Sequence, residues 1–600
     1  MNYRYEILHP LSGRYARFFK GIVLPSIVGV IAGLGAISFF WMLDASRFFF
    51  LEYLGGYTPL PPGGESSLFP DPETPLRHWM LLILPVIGGL ISGIIVFAIA
   101  PEAEGHGTDA GIDAYHNKGG NVRSRVPLIK AISSALTIGS GGSGGREGPI
   151  AQIGAGFGSM LGRWLGLSSK ERRILLVAGM GAGIGSIFHA PMAGALFAAE
   201  VLYKDMELEG EVLVPTTIAS IIAYAVFAIR FGWDPLFVTP DLRFSNVLEL
   251  LPYTFLVLVL AAGAWLYAKS FFTIRKVFHW IPGPPHLKPA LGGLFVGLVA
   301  FFGVPEAMAS GYGLVQEALN GKVAVQFLLL VAFLKIFTTG FTIGSGGSGG
   351  MFGPAIVIGG ALGGAVGFGI QQMAPALVDH PESFVIVGMA GFFAAAANTP
   401  ISTVIMVSEM TGSYHLLVPT LWVCILAYLL LRKTTIYDTQ PENRLDSPAH
   451  LQEMVAGTLQ RFHVWEALPK RDRELVRIDP NANLDKIHHY FAEVPQEAFP
   501  VFNDDGELLG IINNEALRVT LGHPELRPLI LARDLAISIP LVTPQDDLLV
   551  ATQKMGDAGV DEILVVDPKD PHKVLGILQR RQILATYAKR VKEEALRVVK

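Results

Sequence analysis

Residues 139–149 read GSGGSGGREGP, and residues 344–354 read GSGGSGGMFGP. Seven identical residues recur at an offset of 205, and the likeness extends on both sides. Upstream, Thr137-Ile138 matches Thr342-Ile343, and Lys130 and Lys335 each stand nine residues before their copy. Downstream, Gly148-Pro149 matches Gly353-Pro354. A second block runs from Gly179-Met180 through Pro191 to Glu200, and returns as Gly388-Met389, Pro400 and Glu409 at an offset of 209. Four residues were therefore inserted between the blocks. An ordered likeness of this length marks an internal duplication. Two homologous halves with matched, interrupted segments are the pattern of a transporter whose substrate site lies where broken helices meet near the midplane. The match alone leaves open whether the halves are parallel or inverted.

Each GSGGSGG leads through Gly-Pro into an apolar helical run. Proline is tolerated at a helix start because its missing N–H would be unpaired there anyway. Glycine lets the backbone approach a ligand closely. A helix N-terminus adds free N–H groups and partial positive charge, so the combination is an anion site. The competing reading is tight helix packing of the small-xxx-small kind. A phosphate-binding loop is excluded, since no Gly-Lys-Ser/Thr follows. Only the first copy carries a charged pair, Arg146-Glu147. A carboxylate at such a site competes with the anion when ionised and withdraws when protonated, which makes Glu147 a gate and a proton carrier. The plainer reading is an acidic cap paired with Arg146.

Composition agrees with a membrane setting. The 600 residues are 51% hydrophobic and 16% charged, with 67 glycines. Mean hydropathy is +0.45. Soluble enzymes, disordered chains and coiled coils are excluded. A net charge of −5 gives no nucleic-acid signal. The single cysteine, Cys424, allows no intrachain disulfide. Ile22–Leu43 and Trp79–Ala100 are each 22 residues without a charge. At 1.5 Å per residue each reaches about 33 Å, enough to cross a bilayer core. Further apolar runs fall at 212–231, 249–270, 287–304, 325–343 and 416–431. The segments between 105 and 202, and between 344 and 411, read as short and broken, and so are expected to face inward rather than lipid. Residues 57–75 read as an exposed loop. Arg4, Arg14, Arg17 and Lys20 precede the first run, which predicts a cytoplasmic N-terminus.

Gly145-Arg146-Glu147-Gly148-Pro149 and Gly350-Met351-Phe352-Gly353-Pro354 resemble the GREGP and GxFxP motifs of the CLC family of chloride channels and proton/chloride exchangers. The resemblance covers roughly residues 20–440 and implies a mainly α, polytopic membrane fold of two inverted repeats, assembled as a homodimer in a lipid bilayer with one pore per subunit. It implies that the backbone amides of Met351 and Phe352 and the phenol of Tyr437 coordinate chloride, and that Glu147 is the gating glutamate. In two places the chain departs from the family. His106, in Gly105-His106-Gly107-Thr108-Asp109, stands where the family places a coordinating serine. Either its imidazole, the Thr108 hydroxyl or backbone N–H groups then serve. Val201 stands where exchangers commonly carry an internal proton glutamate, leaving the adjacent Glu200 as the other proton-path candidate. The intact Pro149 argues against the family's fluoride exporters. Lys130 and Lys335 either bias the potential toward anions or cap carbonyls.

Past residue 445 charges become dense. Phe499–Ile512 and Glu562–Leu578 each read as strand, turn and strand, preceded by amphipathic stretches at Asn483–Glu493 and Asp547–Ala558. This resembles a tandem CBS pair on the cytoplasmic side. The expected division is a pore domain at 1–445, a linker at 446–465, and CBS-like α/β repeats at 466–523 and 530–590. Such pairs can bind adenine nucleotides through an acid at a fixed position after the strand end, a position that neither Asn513-Asn514-Glu515-Ala516 nor Gln579-Arg580-Arg581-Gln582 fills with an acid. A purely structural tail is the competing expectation, and no cofactor is required. The leading expectation is a Glu147-gated chloride channel with passive or weakly proton-coupled flux. A proton-coupled exchanger is the alternative within transport, and a sensor acting through its tail is the alternative outside it. An enzyme using Glu147 with His106 or His189 is disfavoured, since neither an HExxH spacing nor a nucleophile elbow occurs.

Overall fold

A computed structural model describes residues 18–450, 458–468, 475–520 and 529–598. Arg4, Arg14 and Arg17, and parts of the expected linker and of the first tail repeat, lie outside the described residues. The chain divides into two units between Ala449 and His450.

The first unit is helical. Its first half holds α1 (Phe19–Leu54), α2 (His78–Ile99), α3 (Gly107–His116), α4 (Val126–Gly139), α5 (Glu147–Trp164), α6 (Ser169–Ile187), α7 (Pro191–Glu200) and α8 (Gly210–Phe231). The second holds α9 (Leu250–Trp280), α10 (Lys288–Phe301), α11 (Tyr312–Leu319), α12 (Val325–Gly344), α13 (Phe352–Met373), α14 (Glu382–Ala397), α15 (Pro400–Thr411) and α16 (Leu417–Leu431). α1, α2, α8, α12, α13 and the helix ending at Trp280 are long and apolar enough to cross a membrane. Two expected spans are shorter than the sequence reading: α10 has 14 residues and α16 has 15. α10 starts beside Pro289 and ends before Gly303, whose φ is +103°. Conversely, α13 runs unbroken for 22 residues where short pieces were expected. Its glycines are packed against a neighbouring helix, so they do not break it.

Helix-on-helix contact repeats in the two halves. Added Cβ atoms at Gly154 and Gly158 of α5 would meet the Gly179 and Leu175 carbonyls of α6 at 2.0 and 1.9 Å. At Gly359 and Gly363 of α13 they would meet the Gly388 and Phe384 carbonyls of α14 at 2.4 and 2.0 Å. Small residues thus bring backbones together where lipid gives no hydrophobic drive for association. The duplication is also longer than the motif match. Pro85…Gly88-Gly89…Gly93 returns as Pro289…Gly292-Gly293…Gly297, and Pro101-Glu102-Ala103 returns as Pro305-Glu306-Ala307. These stretches cross reciprocally, Gly89 against the Pro289 carbonyl and Gly293 against the Pro85 carbonyl. Backbone geometry is copied too: His189 and Asn398, two residues before equivalent prolines, have φ of +57° and +59°.

The halves join through exchanged contacts. Gly145 N–H donates to the Gly350 carbonyl and Gly350 N–H to the Gly145 carbonyl, both at 2.7 Å. This bridge is antiparallel, so α5 and α13 begin at one point and leave it in opposite senses, as an inverted repeat requires. The Ser143 hydroxyl bonds Thr339 at 2.9 Å, and its counterpart Ser348 bonds Ser134, the counterpart of Thr339, at 2.8 Å.

In the tail, α17 (Val464–Ala467), α18 (Leu484–Glu493), β1 (Ala498–Phe502), β2 (Leu508–Asn513) and α19 (Asn514–Thr520) precede α20 (Ala532–Leu535), β3 (Leu541–Val542), α21 (Leu548–Ala558), β4 (Glu562–Asp567), β5 (Asp570–Gln579) and α22 (Arg580–Val598). β1 and β2 pair antiparallel; β4 pairs antiparallel with β5 and parallel with β3. The two cores exchange their leading helices. Val464 and Ala467 of α17 pack with Leu548, Met555 and Ile563, whereas Ala532 of α20 packs with Leu484, Phe499 and Ile512.

Candidate functional site: where the two glycine loops meet

Glu147 opens α5 and is buried. Its carboxylate does not pair with Arg146. One oxygen accepts from the Gly353 N–H at 3.1 Å, at the start of α13 in the other half. The other accepts from the Tyr312 hydroxyl at the start of α11. The carboxylate therefore occupies the positive end of the second repeat's helix, where an anion would otherwise be favoured. Glycine leaves room on both sides of it: a Cβ on Gly145 would lie 2.0 Å from the Glu147 carboxylate, and one on Gly353 would lie 2.6 Å from the Tyr312 hydroxyl.

Arg146 turns away to Glu65, donating to it at 3.0 Å and through a second, shorter bond, and its guanidinium lies over the Phe40 and Tyr312 rings at 5.3 and 5.5 Å. Glu65 belongs to the loop read as exposed. That loop is instead tied down, with Gly63 N–H donating to the Gln316 side chain and Gly64 N–H to the Leu236 carbonyl, both at 3.0 Å. Leu68 N–H likewise donates to Asp44 at 2.9 Å, so the loop is held by partners distant in sequence, which a reading of local composition does not capture.

Met351 and Phe352 are buried at the N-terminus of α13. The Met351 carbonyl accepts from the Tyr267 hydroxyl at 2.8 Å, and the Phe352 ring meets Phe393, Phe188 and Phe197 at 4.0, 4.7 and 6.2 Å. Gly148 and Gly350 pack together, a Cβ on Gly148 falling 3.0 Å from the Gly350 Cα. Pro149 and Pro354 sit in the first turns of their helices. His106 caps α3 through its backbone only; its ring stands 5.5 Å from Tyr437 and 5.6 Å from Phe271, and Nδ1 is buried with no partner. The Tyr437 phenol and the Thr108 side chain are both buried and face one another. The following Thr439 is fixed by Asp109, which accepts from its N–H at 3.0 Å and its hydroxyl at 2.8 Å.

Glu200 lies apart from this group. It accepts from the Ile401 and Ser402 N–H groups at 3.1 and 2.8 Å, capping α15 of the other half. Its counterpart Glu409 caps α7 through Met192 and Ala193 at 3.3 and 2.8 Å. Val201 is buried, and its carbonyl accepts from Gln440 at 2.7 Å. Lys130 caps the Ala103 and Gly105 carbonyls at 3.0 and 2.6 Å, and Lys335 caps the Ala309 carbonyl at 3.1 Å. Two cavities adjoin the site. One of about 590 Å³ is lined by Arg146, Tyr312, Arg47, Glu65 and Glu306 among others. The other, about 330 Å³, is lined by Tyr437, Thr435, Lys204, Lys269, Lys433 and Asp438. Glu147, Met351 and Phe352 line neither.

Tyr312, Asp109 and the phenylalanine cluster were not singled out in the sequence. The Pro-Glu-Ala repeat at an offset of 204 was the available signal for Tyr312, since it aligns Tyr312 with Thr108.

Two helix N-termini brought together from duplicated halves, with a carboxylate between them, define a membrane anion pathway of the CLC type. The voltage gated chloride channel family model matches residues 88–432, and the chain belongs to that family. Its members are channels and transporters rather than enzymes. A CBS domain model matches residues 470–520. The chain is 27% identical to the voltage-gated ClC-type chloride channel ClcB of Escherichia coli over 422 residues, 69% of this chain and 96% of that protein. The fold matches a slow cyanobacterial Cl−/H+ antiporter with a TM-score of 0.61 at 22% identity, covering 69% of this chain and 94% of that one. It also matches a eukaryotic CLC transporter with a TM-score of 0.54 at 19% identity, covering 94% of this chain and 98% of that one.

Proposed function

We propose that this protein conducts chloride across a membrane through a path between the two cavities, closed by Glu147. The observation that carries this reading is the Glu147 carboxyl group at the N-terminus of α13, an acidic side chain standing where the permeant anion would sit. Chloride entering from the side of Lys204, Lys269 and Lys433 meets a basic mouth, which raises its local concentration. It passes the Tyr437 phenol and the amides of Met351 and Phe352, with His106 in reach of the same point. Gly145, Arg146, Gly148, Pro149, Gly350 and Pro354 hold the two helix starts together. Protonation of Glu147 removes its attraction for the helix end and opens the path.

Flux is passive or weakly proton-coupled in this reading. Val201 carries no proton, and Glu200 is committed to capping α15. A proton-coupled exchanger is the second reading, favoured by the buried protonatable gate and by the antiporter of like fold. The subunit acts in a homodimer with the N-terminus and tail cytoplasmic. The tail, 466–523 and 530–590, is a structural CBS pair: Asn513 and Gln579, at the ends of β2 and β5, converge on Glu562 at 3.2 and 3.0 Å rather than standing free for a nucleotide.

The test is paired chloride efflux and proton movement in liposomes, clamped with a potassium ionophore, beside Glu147→Gln. Chloride flux that fails to drive protons uphill, with Glu147→Gln insensitive to pH, supports the channel. Stoichiometric uphill proton movement establishes the exchanger. Efflux with the same pH dependence in both proteins removes Glu147 as the gate.

A further inference from the structure

We propose that Tyr312 is a positioning residue that latches Glu147 shut, so that the phenolic O–H sets how readily the path opens. The inference rests on the reading of Glu147 as the gate. Its ground is the placement of Tyr312. The Tyr312 hydroxyl donates to one carboxylate oxygen while Gly353 N–H holds the other, so the carboxylate is gripped from two helices of the second half. The phenol is itself held. Gly311, with φ of +78°, turns the chain into α11; the Phe237 ring meets the Tyr312 ring edge-on at 5.9 Å; and the Arg146 guanidinium lies 5.5 Å from its centroid. Tyr312 also lines the larger cavity, so the latch stands between that cavity and the gate.

The duplication gives the latch a counterpart. Tyr312 aligns with Thr108, whose side chain faces the Tyr437 phenol. Each half thus sends a hydroxyl from the start of the same short helix to one polar group on the path. In the first half that group is another neutral hydroxyl. In the second it is a carboxylate, and hydrogen bonds to ionised groups are about twice as strong as neutral ones. The closed state is therefore stabilised by a bond that the first half has no equivalent for. The groups facing Glu147 are Arg146 with its partner Glu65, Tyr312 and, from the deeper side, Tyr267 and Tyr437. Of these groups, Tyr312, Arg146 and Glu65 line the larger cavity.

The experiment is chloride efflux from liposomes against pH for four proteins: wild type, Tyr312→Phe, Glu147→Ala and the double variant. Phenylalanine keeps the ring and its packing; alanine at 147 removes the acceptor. Tyr312→Phe is expected to raise efflux about tenfold at neutral pH, the size of one charge-assisted hydrogen bond. Its acid activation is expected to move to higher pH, and its efflux to converge with wild type in acid. In the Glu147→Ala background the same change is expected to do nothing. Equal efflux with and without the hydroxyl, or the same change in both backgrounds, overturns the latch. Glu147→Ala that leaves efflux and its pH profile as in wild type overturns the gate reading and the latch together. If Tyr312→Phe does not reconstitute, 3-fluorotyrosine at 312 takes its place. Its stronger donor is expected to slow efflux at neutral pH, and unchanged efflux overturns the latch.

Discussion

The two GSGGSGG segments share backbone and differ in ending, and the difference separates what duplication supplies from what single substitutions add. Both copies deliver a helix start to the same antiparallel bridge. Both halves cross the following two helices at glycines and send a glutamate to cap the other half's helix. The first copy ends in Arg146-Glu147 and the second in Met351-Phe352. One half therefore carries the carboxylate, and the other carries the Gly353 N–H and the Tyr312 hydroxyl that hold it. In the proposed reading, a symmetric scaffold becomes gated through one asymmetric residue.

Breaking the shared scaffold has the largest expected effect. Gly158→Ala and Gly363→Ala each drive a Cβ to 1.9 or 2.0 Å from a backbone carbonyl. Overpacking against backbone costs about 3 kcal/mol or more, so both are expected to abolish a monodisperse, thermally stable protein. Equal loss at the two positions, read by size exclusion after heating, supports a scaffold shared between halves.

The reciprocal caps sharpen the comparison. Glu200 is fully buried, whereas Glu409 is partly exposed. Glu200→Gln is expected to destabilise by about 2 kcal/mol and Glu409→Gln by about 1 kcal/mol, since a buried acceptor is the harder one to lose. Both are measurable as a fall in melting temperature of the detergent-solubilised protein.

A smaller change tests the asymmetry itself. A Cβ at Gly353 would meet only the ends of Tyr312 and Glu147, whereas one at Gly148 would meet the Gly350 backbone. Gly353→Ala is expected to raise chloride efflux about threefold by loosening the closed carboxylate. Gly148→Ala is expected to lower stability and leave the pH profile unchanged.

The smallest effect lies in the tail. Burial pushes the Glu562 carboxyl above its ordinary value, and Glu497 and Asp561 add to that, while Asn513 and Gln579 oppose it. A raised acid binds its proton more tightly when folded, so its contribution is present at low pH and declines as pH rises from the unfolded value through the folded one. Glu562→Gln is expected to slow amide exchange in β4 and β5 of the full-length protein modestly at pH 7, and hardly at all at pH 4.

The duplication and the place of Glu147 at a helix start were legible because identical residues at one offset are a one-dimensional signal. Tyr312 was not, because its meaning depends on which half it faces. Glu65 was hidden for a related reason: it lies 81 residues before Arg146 in a segment whose prolines and glycines read as loop. Glu200 and Glu409 were found as a pair, but their exchange of helices follows from how the halves dock. The lengths of α10 and α13 misled in opposite directions, since apolar length reports lipid contact only where the neighbouring surface is lipid.

The exchanged caps bear on how the protein is made. While the chain is being synthesised, Glu200 is in place about 200 residues before Ser402, its acceptor's partner, exists. At about 5–20 residues per second that interval is on the order of 10–40 s. Through it the nascent first half carries a carboxylate, the Gly145 N–H and carbonyl, and the hydroxyls of Ser134 and Ser143 without their final partners. The insertion machinery, or water held within it, must shelter these groups until the second half arrives. Messenger RNA elements or codons that lengthened the pause between the halves would act on yield, with the mature pathway unaltered.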